Sequence, residues 1–204
     1  LPNIDALLCR IALRTGDLDD VDAWYREKAP RDALHLNVMK RYQYFTQAMA
    51  ELSAGKPDAA LLTLAPLESY CKTCARHIDG IHLGVLRASP LYPTKDSPGK
   101  DALTAALAEA ESFGFIRTVS VYGAAVLPLL EALGETGSAR WYKKLLSDVR
   151  IQAAYYPRFL QPRLAPGEEL TAAERQVLSL LCADKSNAEI GEIMDIKLTT
   201  VKTH

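Results

Sequence analysis

Four glycines, Gly16, Gly55, Gly99 and Gly137, stand roughly 40 residues apart, and each divides two stretches with helical apolar spacing. Glycine can end a helix in the left-handed conformation without a steric penalty. Each is followed by a stretch carrying small residues: Asp22-Ala23-Trp24, Ala59-Ala60-Leu61, Ala105-Ala106-Leu107 and Ala139-Arg140-Trp141. Small side chains let the second helix of a pair lie close against the first. A two-helix unit of this length buries its apolar face only by stacking on its neighbours. The spacing therefore predicts an all-α solenoid; the plainer alternative is an irregular bundle with coincidental glycines. Three stripes fit helices: Ile4, Leu7, Leu8, Ile11 and Ala12; Leu61, Leu62, Leu64, Ala65 and Leu67; Leu103, Ala106, Leu107 and Ala110.

A two-helix period near 40 is tetratricopeptide-like, although that consensus is shorter, about 34 residues. Proline clashes with a helix interior, so Ser89-Pro90-Leu91-Tyr92-Pro93 and Asp96-Ser97-Pro98-Gly99 predict a loop. Tyr156-Pro157 through Pro166-Gly167 predicts a partly extended linker. The expected organisation is a helical-repeat sensor or interaction domain over 1–154, a linker over 155–169, and a second domain over 170–204. The aromatic pairs Trp24-Tyr25, Tyr44-Phe45, Trp141-Tyr142 and Tyr155-Tyr156 are expected mainly in the repeat core, with some lining an inner groove.

Composition excludes several classes. Among 204 residues, 24 basic side chains face 25 acidic ones, so no global charge points to nucleic acid or a membrane surface. Four scattered cysteines do not make a secreted disulfide scaffold, and the expected location is cytoplasmic. No apolar run is long enough to span a bilayer. Gly-x-x-x-x-Gly-Lys occurs nowhere, so no phosphate loop for ATP is expected in this chain. No nucleophile–base pair or coupled carboxylates stand out, so catalysis is not expected. Cys71-Lys72-Thr73-Cys74, with His77 and His82, has spacing that could suit a metal. The blander reading, small side chains in a helix–helix contact, is preferred, and no metal site is expected. A first residue that is not Met, and a final helix that stops early, give the expectation of a piece of a longer protein.

The last 35 or so residues carry the chemistry. Thr171 followed by Glu174 has capping-box spacing ahead of Val177, Leu178, Leu180 and Leu181. Ser186-Asn187 can cap a second helix, Ala188 to about Met194, with Ile190 and Ile193 facing inward. A short turn, Asp195 to Leu198, leads into a third. Three short helices with a tight turn between the last two form a helix-turn-helix, whose final helix enters the major groove N-terminus first. Thr199 or Thr200 can cap that helix and offer hydroxyls to phosphate. Lys202 supplies charge, Thr203 can reach a base edge, and His204 closes the candidate set.

Leu-Thr-x-x-Glu-x-x-Val-Leu from Leu170, Ser-Asn-x-Glu-Ile from Ser186 and Thr-Val-Lys-Thr-His from Thr200 together resemble the LuxR-type helix-turn-helix. The resemblance implies recognition roles for Thr200, Lys202 and Thr203, and a core position for Val201. Upstream, Arg10 to Leu18, Gly114 to Arg117 and Leu127 to Leu130 resemble the helical-repeat region of the large ATP-dependent MalT-like regulators. That class implies a DNA-binding transcriptional regulator and a homodimer when active. It also implies an effector or protein partner on the repeats, and ATP bound elsewhere in the parent protein. On this resemblance the DNA-binding domain is incomplete at its C-terminus. Ala188, Glu192 and Lys197 depart from the family pattern, and residues 168–204 hold seven acids and four bases. The alternative is a peptide-binding repeat module without DNA binding.

Overall fold

The computed structural model describes residues 1–31, 36–91, 98–161, 172–182 and 185–203; the side chains of 90, 91, 172, 175, 182, 198, 202 and 203 fall outside that description. The described residues form α-helices and one short 3-10 turn, with no strand among them. The chain divides into two compact units, Leu1–Arg163 and Leu164–His204.

The first unit is a stack of helical hairpins: α1 (Pro2–Thr15) with α2 (Leu18–Glu27), α3 (Arg41–Ser53) with α4 (Pro57–Thr73), and α5 (His77–Leu91) with α6 (Pro98–Ser112). A short helix, α7 (Arg117–Ser120), precedes the last pair, α8 (Gly123–Leu133) and α9 (Ala139–Tyr155). Within each hairpin the two helices pack together, and α1, α3, α5 and α7 pack on one another in series. This is the repeat arrangement the glycine spacing predicts. Gly16 ends α1 with φ 81°, and Gly55 and Gly137 also have positive φ. Gly99 differs: it lies buried in the first turn of α6. The predicted loop at 89–99 is narrower than expected, since α5 runs through Pro90 to Leu91 and α6 begins at Pro98; residues 92–97 lie outside the described residues.

Small residues decide how closely the hairpins pair. Leu103, Ala106, Leu107 and Ala110 are all buried, as their stripe predicts. A methyl group on Gly84 of α5 would lie 2.7 Å from Ala106 Cβ and 3.0 Å from the Ala102 carbonyl, so glycine sets the α5–α6 spacing. On α1, Ala12 of the predicted stripe is buried but its four larger members turn outward. Ala6, Cys9, Ala12 and Leu13 face the core, while Leu1, Ile4, Leu7, Leu8 and Ile11 are exposed. On α4, Leu64 and Leu67 are buried and Leu62 is exposed.

Buried polar groups tie hairpins together. The Glu51 carboxylate is 2% exposed. It accepts from Tyr25 Oη at 3.0 Å, Gln47 Nε2 at 3.0 Å and Thr63 Oγ1 at 2.8 Å, joining α2, α3 and α4. Three donors satisfy a charge whose burial alone would be costly. Tyr122 is fully buried, and its hydroxyl meets His82 Nδ1 at 2.8 Å. Burial, with the charge of Arg10 adding to it, pushes His82 down to about 4, so it is neutral at pH 7. After α9, Phe159 and Leu160 are buried in the same core, so residues read as the start of a linker pack into the first unit. Trp24, Tyr44, Phe45 and Tyr142 are also buried there, whereas Tyr155 is exposed.

The cysteine–histidine spacing does not form one helical face. The helix α4 ends at Thr73, Cys74 follows it, and His77 begins α5. Cys71 is buried, Cys74 is exposed, and His77 Nδ1 meets Glu109 Oε1 at 2.6 Å. Among the described residues no group of three His, Cys, Asp or Glu side chains could hold a metal, and no helix is long and apolar enough to cross a membrane.

Candidate nucleic-acid interface

The second unit contains α10 (Ala172–Cys182), α11 (Asn187–Met194) and α12 (Leu198–Thr203). One buried side chain from each forms its core: Val177, Ile190 and Val201. Leu180, Met194 and Ile196 pack around them. The inward role implied for Val201 is therefore met by 3% exposure. Half of the predicted apolar faces point elsewhere: Leu178, Leu181 and Ile193 are about half exposed.

Local chemistry sets the helix borders. Ser186 caps α11 in a reciprocal capping box: its Oγ accepts from the Glu189 amide at 3.4 Å, and its own amide donates to Glu189 Oε2 at 2.8 Å. The Ser-x-x-Glu spacing lies within the Ser-Asn-x-Glu-Ile motif, whose serine is the expected cap. The other expected box involves Thr171, which lies outside the described residues. Helix α11 ends at Asp195 in the left-handed conformation, φ 53° and ψ 45°. This reverses the chain, and the Ile196 amide donates back to the Gly191 carbonyl at 3.0 Å. Lys197 then opens α12, its carbonyl accepting from the amides of Thr200 at 2.8 Å and Val201 at 3.1 Å. Neither threonine is the cap: both lie within the first turn of α12.

Thr199 and Thr200 are exposed, one turn-face away from buried Val201. The backbone of Lys202 and Thr203 continues the same helix, while their side chains and all of His204 lie outside the described residues. Lys185 and Lys197 are exposed beside exposed Glu189, Glu192 and Asp195. The Lys185 ammonium is 3.5 Å from Glu189 Oε1, so the described side chains around α11 are of mixed charge.

Bonds from the Ser186 amide and hydroxyl, then the charge of Lys185, hold the Glu189 carboxyl below its ordinary 4.5. A lowered folded-state pKa means the stabilisation is complete above pH 4.5 and is lost as pH falls through the folded value. Ser186→Ala should lower the stability of this unit by about 1 kcal/mol at pH 7. Thermal unfolding followed at pH 7 and at pH 3 checks it: the gap between wild type and variant should narrow in acid. An equal gap at both would show that Glu189 does not contribute through the cap.

Residues 168–204 match the family described as bacterial regulatory proteins, luxR family. Over 93% of its length the chain is similar to proteins named HTH-type transcriptional regulator MalT. That of Klebsiella pneumoniae (strain ATCC 700721 / MGH 78578) is 26% identical, that of Cronobacter sakazakii 28%, and that of Yersinia pestis (strain Pestoides F) 26%. The chain spans 23% of the length of these relatives. No solved structure gives a significant match. The helix-turn-helix formed by α11 and α12 is thus of the LuxR type.

Proposed function

We propose that this chain is the sensing and DNA-reading part of a cytoplasmic transcriptional regulator, with α12 as the helix that enters the major groove. The observation that carries the reading is the three-residue core, Val177, Ile190 and Val201, within the segment that matches the luxR family. With Val201 buried, α12 is fixed rotationally and Thr199 and Thr200 are left exposed. In this reading Thr199 and Thr200 contact phosphate, Lys202 adds charge, Thr203 reaches a base edge and His204 extends the contact. The mixed charge around α11 leaves little general affinity for the polyanion, so binding depends on those few contacts. Two copies on paired half-sites would double them, and a homodimer is the active form we favour. The helical repeats carry the effector or partner site, and occupancy there changes how the reader is presented. The chain itself performs no catalysis in this reading, and ATP would act elsewhere in the longer protein.

The test is DNA binding by the protein to duplexes selected from a random library. Lys202→Ala should weaken binding at least about tenfold and reduce the slope of log affinity against log salt by about 0.9. Equal affinity and equal slope would remove Lys202 from the interface. Failure to select any duplex would overturn the DNA-reading assignment.

A further inference from the structure

Arg10 and Arg14 stand one turn apart on α1. Arg10 is tightly placed. Its Nε donates to Thr46 Oγ1 at 2.8 Å, its Nη2 donates to the Tyr42 carbonyl at 3.0 Å, and the guanidinium lies 3.7 Å over the Tyr42 ring. Those bonds use two of five N–H donors. Arg14 lies 5.6 Å from the ring centre of Tyr156 and 5.5 Å from that of Phe159.

Among the described residues, neither arginine has an acid as partner. The ion pairs among the described residues satisfy other cations: Lys28 on Asp5, Arg41 and Arg76 on Asp79, Lys72 and Arg87 on Glu68, and Arg150 on Glu131. Burial lowers the pKa of Arg10, and the like charge of Arg14 acts in the same direction; the opposing groups are Tyr122, Tyr42 and Cys9, with no carboxylate. The C-terminal end of α1 offers only about half a negative charge against two positive ones. Cation–ring contacts help, but contribute about 1 kcal/mol each at partly exposed sites. A half-buried guanidinium pair without a counter-charge is costly unless an anion arrives to match it.

We propose that Arg10 and Arg14 bind the anionic group of a small ligand, a carboxylate or a phosphate, where α1 meets Tyr42 and the Tyr156–Phe159 turn. A guanidinium fork suits the paired oxygens of either group, and the neighbouring rings offer faces to the remainder of the ligand. The inference deepens the sensor reading of the repeats by naming the effector's chemical class: an organic acid or a phosphorylated compound. It connects the first helix of the unit to the residues that follow its last helix, because Arg14 touches both.

The test uses the whole chain and three salts at matched ionic strength: sodium phosphate, sodium succinate and sodium chloride. Melting temperature should rise saturably above the chloride baseline in phosphate, in succinate, or in both, and the arm that responds identifies the group. Among the described residues Arg14 makes ring contacts and no hydrogen bond, so Arg14→Gln should fold normally yet weaken the response at least about tenfold, the loss of one charge-assisted pair. Arg150→Gln, on an exposed pair elsewhere, should respond as wild type. No saturable rise in either salt, or an undiminished rise in Arg14→Gln, would overturn the assignment. DNA selection, measured separately, bears on the regulator reading and not on this one.

Discussion

Replacing Ile190 with Ala should unfold the helix-turn-helix unit while the helical-repeat unit continues to melt as before. Ile190 is fully buried between Val177 and Val201, and the unit has no other fully buried large side chain among the described residues. Truncating a buried Ile to Ala costs about 2–5 kcal/mol. A core this small supplies only about 3–5 kcal/mol in total, so the loss is comparable with the whole stability of the unit. Trypsin should then cut after Lys185 and Lys197 far faster than in wild type, and DNA binding should disappear. Ile193→Ala is the contrasting case: the side chain is 52% exposed, and the change should be worth no more than about 0.5 kcal/mol. Equal protease resistance in Ile190→Ala and wild type would mean that Ile190 does not hold α11 between α10 and α12.

The second large effect lies in the repeat unit. Gly84→Val should destabilise it by about 3 kcal/mol, because even the first added carbon meets Ala106 Cβ at 2.7 Å and the backbone at Ala102. Better helix propensity recovers less than about 1 kcal/mol of this. One turn earlier, Gly80 has a different environment: a methyl group there would meet only Glu109 Oε2, at 3.4 Å. That neighbour is the end of a flexible side chain. Gly80→Ala should therefore be neutral or stabilising by up to about 1 kcal/mol. Chemical denaturation of the two variants checks the opposite signs, and similar midpoints for both would refute the close α5–α6 approach.

The residues that the sequence made legible share a property. Leu103, Ala106, Leu107 and Ala110 belong to a helix packed on one side, so the 3.6-residue period names the right face. Helix α1 misled because it carries two apolar faces. Its large residues Ile4, Leu7, Leu8 and Ile11 form the obvious stripe, yet Ala6, Cys9 and Ala12 make the close contact with α2 and α3. Periodicity weighs residues by hydrophobicity, whereas close helix packing selects small ones. The same conflict recurs at Ile193, where an apolar residue one turn from Ile190 faces outward. In the helix-turn-helix, motif order located the helices to within a residue or two, because capping and the left-handed Asp195 turn are local. The unpaired state of Arg10 and Arg14 among the described residues was invisible in sequence. It depends on which side chains the fold brings near, here Thr46, Tyr42, Tyr156 and Phe159.

Arg10 rests on Tyr42 of α3 and Arg14 on Tyr156 and Phe159 after α9, so an anion held by both arginines would join three parts of the repeat unit through α1. A ligand that needs both of them in place binds only the form with α1 docked, so binding and the docking of α1 become one linked equilibrium. Amide exchange in α1 would then report occupancy directly, slowing as ligand is added while exchange in the interior helices stays unchanged.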